Sequence, residues 1–273
     1  MPHLRALREA YARDVAGAAG PRVLAAYAAV PRERFLAPPP WTVIAPGGLL
    51  PKTTFDPADL YADALVVLDA ARGINNGQPS LHAGWLGAVD PRPGDTVVQI
   101  GAGTGYYTAL LAELVAPTGR VEAYEIEPAL AETARANLRP YADVVVHPAS
   151  AVGTTLPRAD VIYVAAAATA PDPAWLDALA PGGRLVMPWE PQPGRGGVSL
   201  LVRREVGGFS ATPTTLVGFI PCEGLSARAA GPVRPDAMLA TRSLWRRADR
   251  EPDAGTTAVV GDLWFSADPL TPD

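Results

Sequence analysis

Val97-Val98-Gln99-Ile100-Gly101-Ala102-Gly103-Thr104-Gly105-Tyr106 is a β-branched run that ends in a glycine-rich turn, and Tyr107-Thr108-Ala109-Leu110-Leu111-Ala112-Glu113-Leu114 continues in helical composition. Strand, turn and helix follow without a gap. Glycines let the backbone pass close beneath a ligand, and the amides at a helix N-terminus are free to bind it, so this order suits an adenosine-containing molecule.

The next predicted strand, Arg120-Val121-Glu122-Ala123-Tyr124-Glu125, ends in a carboxylate that can accept both hydroxyls of a ribose. One residue separates each pair of glycines, unlike the G-x-G-x-x-G of the nicotinamide fingerprint. The spacing favours S-adenosyl-L-methionine over NAD. Glu125 also has a plainer reading as a solvated rim charge.

Composition sets the outer bounds. With 273 residues, 48% of them hydrophobic, the chain can bury a full core. Its net charge of −5 offers no basic surface for a nucleic-acid backbone, so nucleic acid is not expected as a partner. Cys222 is the sole cysteine, which leaves no internal disulfide and no cysteine-based zinc site. His147 has no ligand spacing to His3 or His82, so no metal is expected. No serine sits in a nucleophile elbow, which removes the hydrolase reading. The opening residues carry no signal-like apolar stretch and no run is long enough for a membrane span; a cytoplasmic protein is expected.

Along the chain, residues 3 to 29 predict two short helices broken between Gly17 and Pro21. Pro38-Pro39-Pro40-Trp41 favours an extended segment, the loop to Pro57 carries no assignable strand, and Asp59 to Asp69 fits either a helix or a buried strand. Gly73-Ile74-Asn75-Asn76-Gly77-Gln78 reads as a polar turn, with Pro79 opening a helix to about Ala88 and Ser80 starting or capping it. This turn is the candidate substrate-facing wall, although Asn75 and Asn76 are also ordinary turn formers and His82 an ordinary structural histidine.

Beyond the glycine turn, helices are predicted over Pro128 to Leu138 and Ala174 to Leu179, and strands over Asp143 to His147, Asp160 to Ala165 and Arg184 to Pro188. Val198 to Arg204 and Thr214 to Ile220 read as an antiparallel pair because no helical pattern joins them. The expected fold is α/β and Rossmann-like, a seven-stranded mixed sheet of five parallel strands plus an antiparallel edge hairpin, as in methyltransferases. It is preceded by a helical segment over 1–92, centred on 93–222, and followed by an extension over 223–273 in which Ala237 to Arg246 reads as a helix.

Tyr61-Ala62-Asp63, Gln78-Pro79-Ser80-Leu81-His82-Ala83, Pro93-Gly94-Asp95, Gly101 to Tyr107, Leu179 to Leu185 and Gly218-Phe219-Ile220-Pro221 together resemble the protein-L-isoaspartate O-methyltransferase family, over roughly residues 20 to 222. The resemblance implies methyl transfer from S-adenosyl-L-methionine, leaving S-adenosyl-L-homocysteine, to the carboxylate of an isoaspartyl or aspartyl residue in a peptide or protein. It implies a cofactor site formed by Gln99, Gly101, Ala102, Gly103, Thr104, Gly105, Tyr106, Glu125, Ile126, Ala149 and Ser150, and a catalytic loop formed by Asn76, Gly77, Gln78 and His82.

Three positions depart from the family pattern. A serine or threonine normally stands two residues before the loop proline, where this chain has Gly77; restoring serine there is expected to raise isoaspartyl turnover if the loop geometry is otherwise kept. Ala149-Ser150 replaces an Asp-Gly pair, and Gln99 an acid in the first strand. Three readings follow: repair-type methylation of isoaspartyl peptides, a diverged methyltransferase acting on a biosynthetic peptide or other natural product, and a non-catalytic cofactor-binding protein.

Overall fold

The computed structural model describes residues 2–45, 50–225 and 227–270; part of the unassigned loop before Pro57 and the last three residues of the extension lie outside them. The chain forms two compact units, one of Met1–Asp95 with Ala102–Ala149, the other of Thr96–Gly101 with Ser150–Asp273. No helix of the described residues is long and apolar enough to cross a membrane.

The first unit opens with helices α1 (Pro2–Ala16) and α2 (Pro21–Ala29), parted where Gly17 to Pro21 predicts a break. Pro21 takes the first turn of α2, where its missing N–H leaves no bond unmade. Tyr11, Ala12 and Val15 on α1 and Val23, Ala26 and Tyr27 on α2 are buried, at the three- and four-residue spacing of one helix face.

Strands β1 (Trp41–Ile44), β2 (Lys52–Thr54), β3 (Leu65–Asp69) and β4 (Ile74–Asn75) follow and pair antiparallel in the order β2-β1-β3-β4. The ambiguous stretch before Asp69 thus divides into a 3-10 turn at Pro57–Leu60 and strand β3. Trp41, Val43, Leu60, Ala64 and Val66 form the core of this small sheet, with Leu36 packed against them. Pro79 opens helix α3 (Pro79–Val89), as its position in the turn predicts.

Strand β5 (Thr96–Ile100) belongs to the second unit. The first resumes with α4 (Tyr106–Val115), β6 (Arg120–Tyr124), α5 (Pro128–Asn137) and β7 (Val144–His147). β6 and β7 run parallel, with Tyr124 opposite His147. Gly105 precedes α4 at φ +95°, and a Cβ there would lie 2.8 Å from Leu138 Cδ1, so the turn needs glycine for both conformation and space.

The second unit continues with β8 (Ala159–Val164), α6 (Pro173–Ala178), β9 (Leu179–Trp189), β10 (Gly197–Glu205), β11 (Gly208–Val217), α7 (Pro235–Ala240), β12 (Ser243–Arg246), β13 (Thr256–Val260) and β14 (Leu263–Ser266). Its sheet runs β13-β14-β12-β11-β10-β9-β8-β5. The five strands expected to be parallel are so, β5-β8-β9 here and β6-β7 in the first unit.

Two expectations are corrected. The hairpin is tighter and longer than its sequence reading, since Glu205 pairs with Gly208 across Val206-Gly207 and the strand absorbs residues 208 to 213, which the sequence pattern places in the connection. The extension holds only a short helix, α7, in place of the expected helix from Ala237 to Arg246; Ser243–Arg246 instead pairs with Phe209 and Ser210, and β14 and β13 follow outward. The sheet therefore exceeds the seven-stranded plan, because the extension adds strands to the exposed side of β11 and covers an edge that would otherwise present unpaired backbone groups.

Packing anchors those added strands. Phe265 stacks on Trp189 with ring centroids 4.2 Å apart, and both are fully buried. Trp189 also donates its indole N–H to Thr169 O at 3.0 Å. Phe265→Ala is expected to lower unfolding free energy by about 3–5 kcal/mol, the range for truncating a buried aromatic; urea denaturation measures it, and a loss below about 1 kcal/mol would mean the extension does not contribute to the core.

Candidate active site

The first unit brings the glycine turn and the acid of β6 into direct contact. Gly103 N donates to Glu125 Oε2 at 2.7 Å, and Glu127 N to Glu125 Oε1 at 3.0 Å. Ala102 N donates to Tyr124 O at 3.1 Å, and Asn137 Nδ2 holds Thr104 O at 3.0 Å. Each Glu125 oxygen keeps a second lone pair for a ligand hydroxyl. Glu125 is only 6% exposed, and burial raises its carboxyl above the ordinary range against the pull of its backbone hydrogen bonds. The neighbouring Ile126 is an exposed apolar side chain.

Of the other predicted cofactor residues, Ala102 and Thr104 are buried in the same turn, Tyr106 is buried at the start of α4, and Ala149 is exposed just beyond β7. Gln99, Gly101 and Ser150 belong to the second unit. There Gln99 is fully buried, and its amide oxygen and nitrogen make no hydrogen bond among the described residues. Ser150 Oγ accepts from Val152 N at 3.1 Å, a local turn contact.

The acceptor loop is pinned from several sides. Asn76 Oδ1 accepts from Val66 N at 2.8 Å and from Arg32 Nη2 at 3.1 Å. Asp63 takes Gln78 Nε2 at 2.9 Å, Ser80 N at 2.8 Å and Ser80 Oγ at 2.6 Å. Ser80 therefore commits its hydroxyl to Asp63 instead of capping α3, whose N-cap position is held by Gln78. Gly77 N donates to Asn75 Oδ1 at 2.9 Å, the bond of an asparagine-initiated turn.

Tyr107, in the first turn of α4, joins this loop to the glycine turn: its hydroxyl donates to Gly77 O at 3.3 Å, and its ring stacks on His82 at 3.7 Å. His82 is 1% exposed, and burial, aided by the Arg32 charge, pushes its imidazole down to about 3, so it is neutral at physiological pH.

Gly77 is more than a missing hydroxyl. Its φ is +75°, and a Cβ there would overlap His82 Nε2 and lie 2.8 Å from His82 Cδ2. His82 thus fills the space that a side chain at 77 would occupy, so a serine there has to displace the His82 ring. Sequence reasoning also passes over Arg32 and Tyr107. Arg32 lies in Val30-Pro31-Arg32-Glu33-Arg34-Phe35, where nothing separates a buried arginine from its exposed neighbours; Tyr107 reads only as an apolar helix residue.

Parallel strands, a glycine turn opening a helix and a buried acid after the next strand define a Rossmann-like α/β protein. A sequence model of the protein-L-isoaspartate(D-aspartate) O-methyltransferase family matches residues 50–227, and the chain belongs to that family. The protein-L-isoaspartate O-methyltransferase of Aeropyrum pernix is 40% identical over 172 residues, covering 61% of this chain and 59% of the relative. That of Methylorubrum populi is 37% identical over 167 residues, covering 60% of this chain and 76% of the relative. The chain thus spans less than two thirds of the Aeropyrum protein's length.

Among solved structures, a protein-L-isoaspartate O-methyltransferase superposes with TM-score 0.69 at 19% identity, covering 94% of this chain and 86% of its own. A Plasmodium falciparum structure in complex with S-adenosyl-L-homocysteine gives TM-score 0.64 at 17% identity, covering 79% of this chain and 98% of its own. These likenesses establish the fold.

Gly77→Ser is expected to destabilise the protein by at least about 1–2 kcal/mol, the cost of a left-handed conformation for a residue with a side chain, and to displace His82 from Tyr107. Thermal melting and the His82 ring resonances read both effects; an unchanged melting temperature would show that the loop relaxes freely.

Proposed function

We propose that this chain is a cytoplasmic S-adenosyl-L-methionine-dependent methyltransferase that esterifies the side-chain carboxylate of an isoaspartyl or aspartyl residue in a peptide or protein. The observation that carries the reading is the buried Glu125 carboxylate bonded to Gly103 N at 2.7 Å, which sets an acid and a glycine turn side by side. Family membership supports the carboxylate as acceptor.

The residues present fit an adenosine-bearing ligand. Glu125 would take the ribose hydroxyls on its remaining lone pairs, Ile126 would pack on the base, and the backbone from Ala102 to Gly105 would lie beneath the amino-acid portion. When bound, the cofactor supplies an electrophilic methyl group. The protein's task is then positional: a carboxylate with an ordinary pKa near 4 is already ionised at neutral pH and needs no general base. Asn76, Gly77 and Gln78 would present that carboxylate in line with the methyl at about 3 Å, the reach of a near-attack arrangement. Neutral His82 would act there as a wall and not as a proton carrier.

A second reading is favoured by one feature. Gly77 with His82 beneath it replaces the hydroxyl expected at that point of the loop, which supports an acceptor other than a generic isoaspartyl site, such as an aspartate of a dedicated biosynthetic peptide.

Transfer of labelled methyl to an isoaspartyl peptide and to its aspartyl twin tests both. Base-labile label on the isoaspartyl peptide alone is the result expected of repair-type methylation. Label on neither, with S-adenosyl-L-homocysteine still bound, would favour a dedicated acceptor, and absence of binding as well would sink the proposal.

Glu125→Ala is expected to weaken S-adenosyl-L-homocysteine binding by roughly 1.5–3 kcal/mol, the scale of hydrogen bonds to a charged group. Because burial raises the Glu125 pKa and only the ionised form accepts both hydroxyls, parental affinity should fall with acidification at a pH above the usual carboxylate range. Calorimetry across pH measures both; equal affinities for parent and variant would remove Glu125 from the site.

A further inference from the structure

Arg32 is fully buried, yet it forms no ion pair with a carboxylate among the described residues. Its guanidinium instead donates to Leu60 O at 2.7 Å, Ala62 O at 3.2 Å, Ala64 O at 2.6 Å and Asn76 Oδ1 at 3.1 Å. Nε is buried and makes no hydrogen bond, and neither does Asn76 Nδ2 beside it. The rings of Tyr11 and Tyr106 lie 5.9 and 6.0 Å from the guanidinium carbon. Arginine stays charged in any protein environment, and a buried charge is costly unless it is compensated. Carbonyl dipoles and ring faces offset part of that cost but supply no negative charge. The carboxylate of Asp63, which lies on the segment Arg32 grips, is committed to Gln78 and Ser80.

We propose that Arg32 is the positioning residue of the acceptor loop: it fixes Asn76 and the 60–64 segment in place, and its uncompensated charge makes the loop selective for an anionic acceptor group, whose carboxylate supplies the missing counter-charge. This rests on the carboxyl-methylation reading above and assigns the part of the site that recognises the acceptor. Arg32 acts through Asn76 and touches no reacting atom. Two segments flanking β3 and β4, Leu60 to Ala64 and the acceptor loop at Asn76, meet on one guanidinium, so the place of the loop and its charge have a single source. Only a planar fork with several donors can make these bonds together.

Removing Arg32 outright would leave a group of buried carbonyls without donors and confound folding with function. Asn76→Asp avoids this, because the retained Oδ1 still accepts from Val66 N and Arg32 while a carboxylate is placed against the guanidinium. The expected result is a higher melting temperature than the parent, S-adenosyl-L-homocysteine affinity within about two-fold, and an acceptor KM raised about ten-fold or more, the scale on which binding weakens when a charged interaction is removed. Because Asn76 itself faces the acceptor in the reading above, the KM rise tests the selectivity of the loop for an anion, and the melting temperature tests the charge of Arg32.

A melting temperature below the parent's would overturn the proposal by showing that Arg32 lacks no counter-charge, and a parental acceptor KM would overturn the selectivity it assigns. If the parent methylates neither test peptide and binds no S-adenosyl-L-homocysteine, the methylation reading fails by those results alone. The melting comparison needs no turnover and still decides whether the Arg32 charge is uncompensated.

Discussion

A carboxylate removed from water has to be hydrogen-bonded, and Glu125 meets that requirement through the amides of Gly103 and Glu127. Much of the first unit follows from that one constraint. With Gly103 held against the end of β6, the turn enters α4 through Gly105 in a conformation that only glycine adopts easily, with no room for a Cβ beside Leu138. The start of α4 then sets Tyr107, whose ring and hydroxyl reach His82 and Gly77. The acid that would hold a ribose and the loop that would hold an acceptor are thus joined by a short series of contacts within one compact unit.

The loop itself is governed by desolvated charge. Arg32 grips two chain segments, the 60–64 carbonyls and Asn76, and Asp63 takes Gln78 and Ser80 at the start of α3. The buried Arg32 is held in place because moving its guanidinium would leave several carbonyls without a donor. Rigidity would suit the proposed reaction, whose acceptor is already ionised, since alignment is then the main task left to the protein. His82 belongs to the same arrangement as packing, neutral and stacked.

The second unit shows how a family fold accepts an addition. The region matched to the family ends at residue 227, and the strands beyond it extend the sheet from β11 instead of forming a separate body. Stacking of Phe265 on Trp189 and the pairing of Ser243 and Leu244 with Ser210 and Phe209 let the extension bury apolar surface without leaving β11 as a bare edge.

Sequence alone determined the local pieces and their order, because periodicity, proline at helix starts and glycine in turns act over a few residues. The helix breaks at Gly17 to Pro21, the glycine turn, Glu125 at the end of its strand and the parallel strands of the α/β core were all legible in that way. Tertiary structure decided what depends on contacts between distant residues. Whether Ser243 to Arg246 is helix or strand turned on the edge offered by β11, about thirty residues earlier, which overrides a weak local preference. That a side chain at position 77 would meet His82 turned on the ring lying beneath it, and that Arg32 is buried turned on carbonyls up to Ala64 gathering around its guanidinium. Residue type shows the chemistry that a side chain can perform; only the fold decides which groups surround it and whether water is among them.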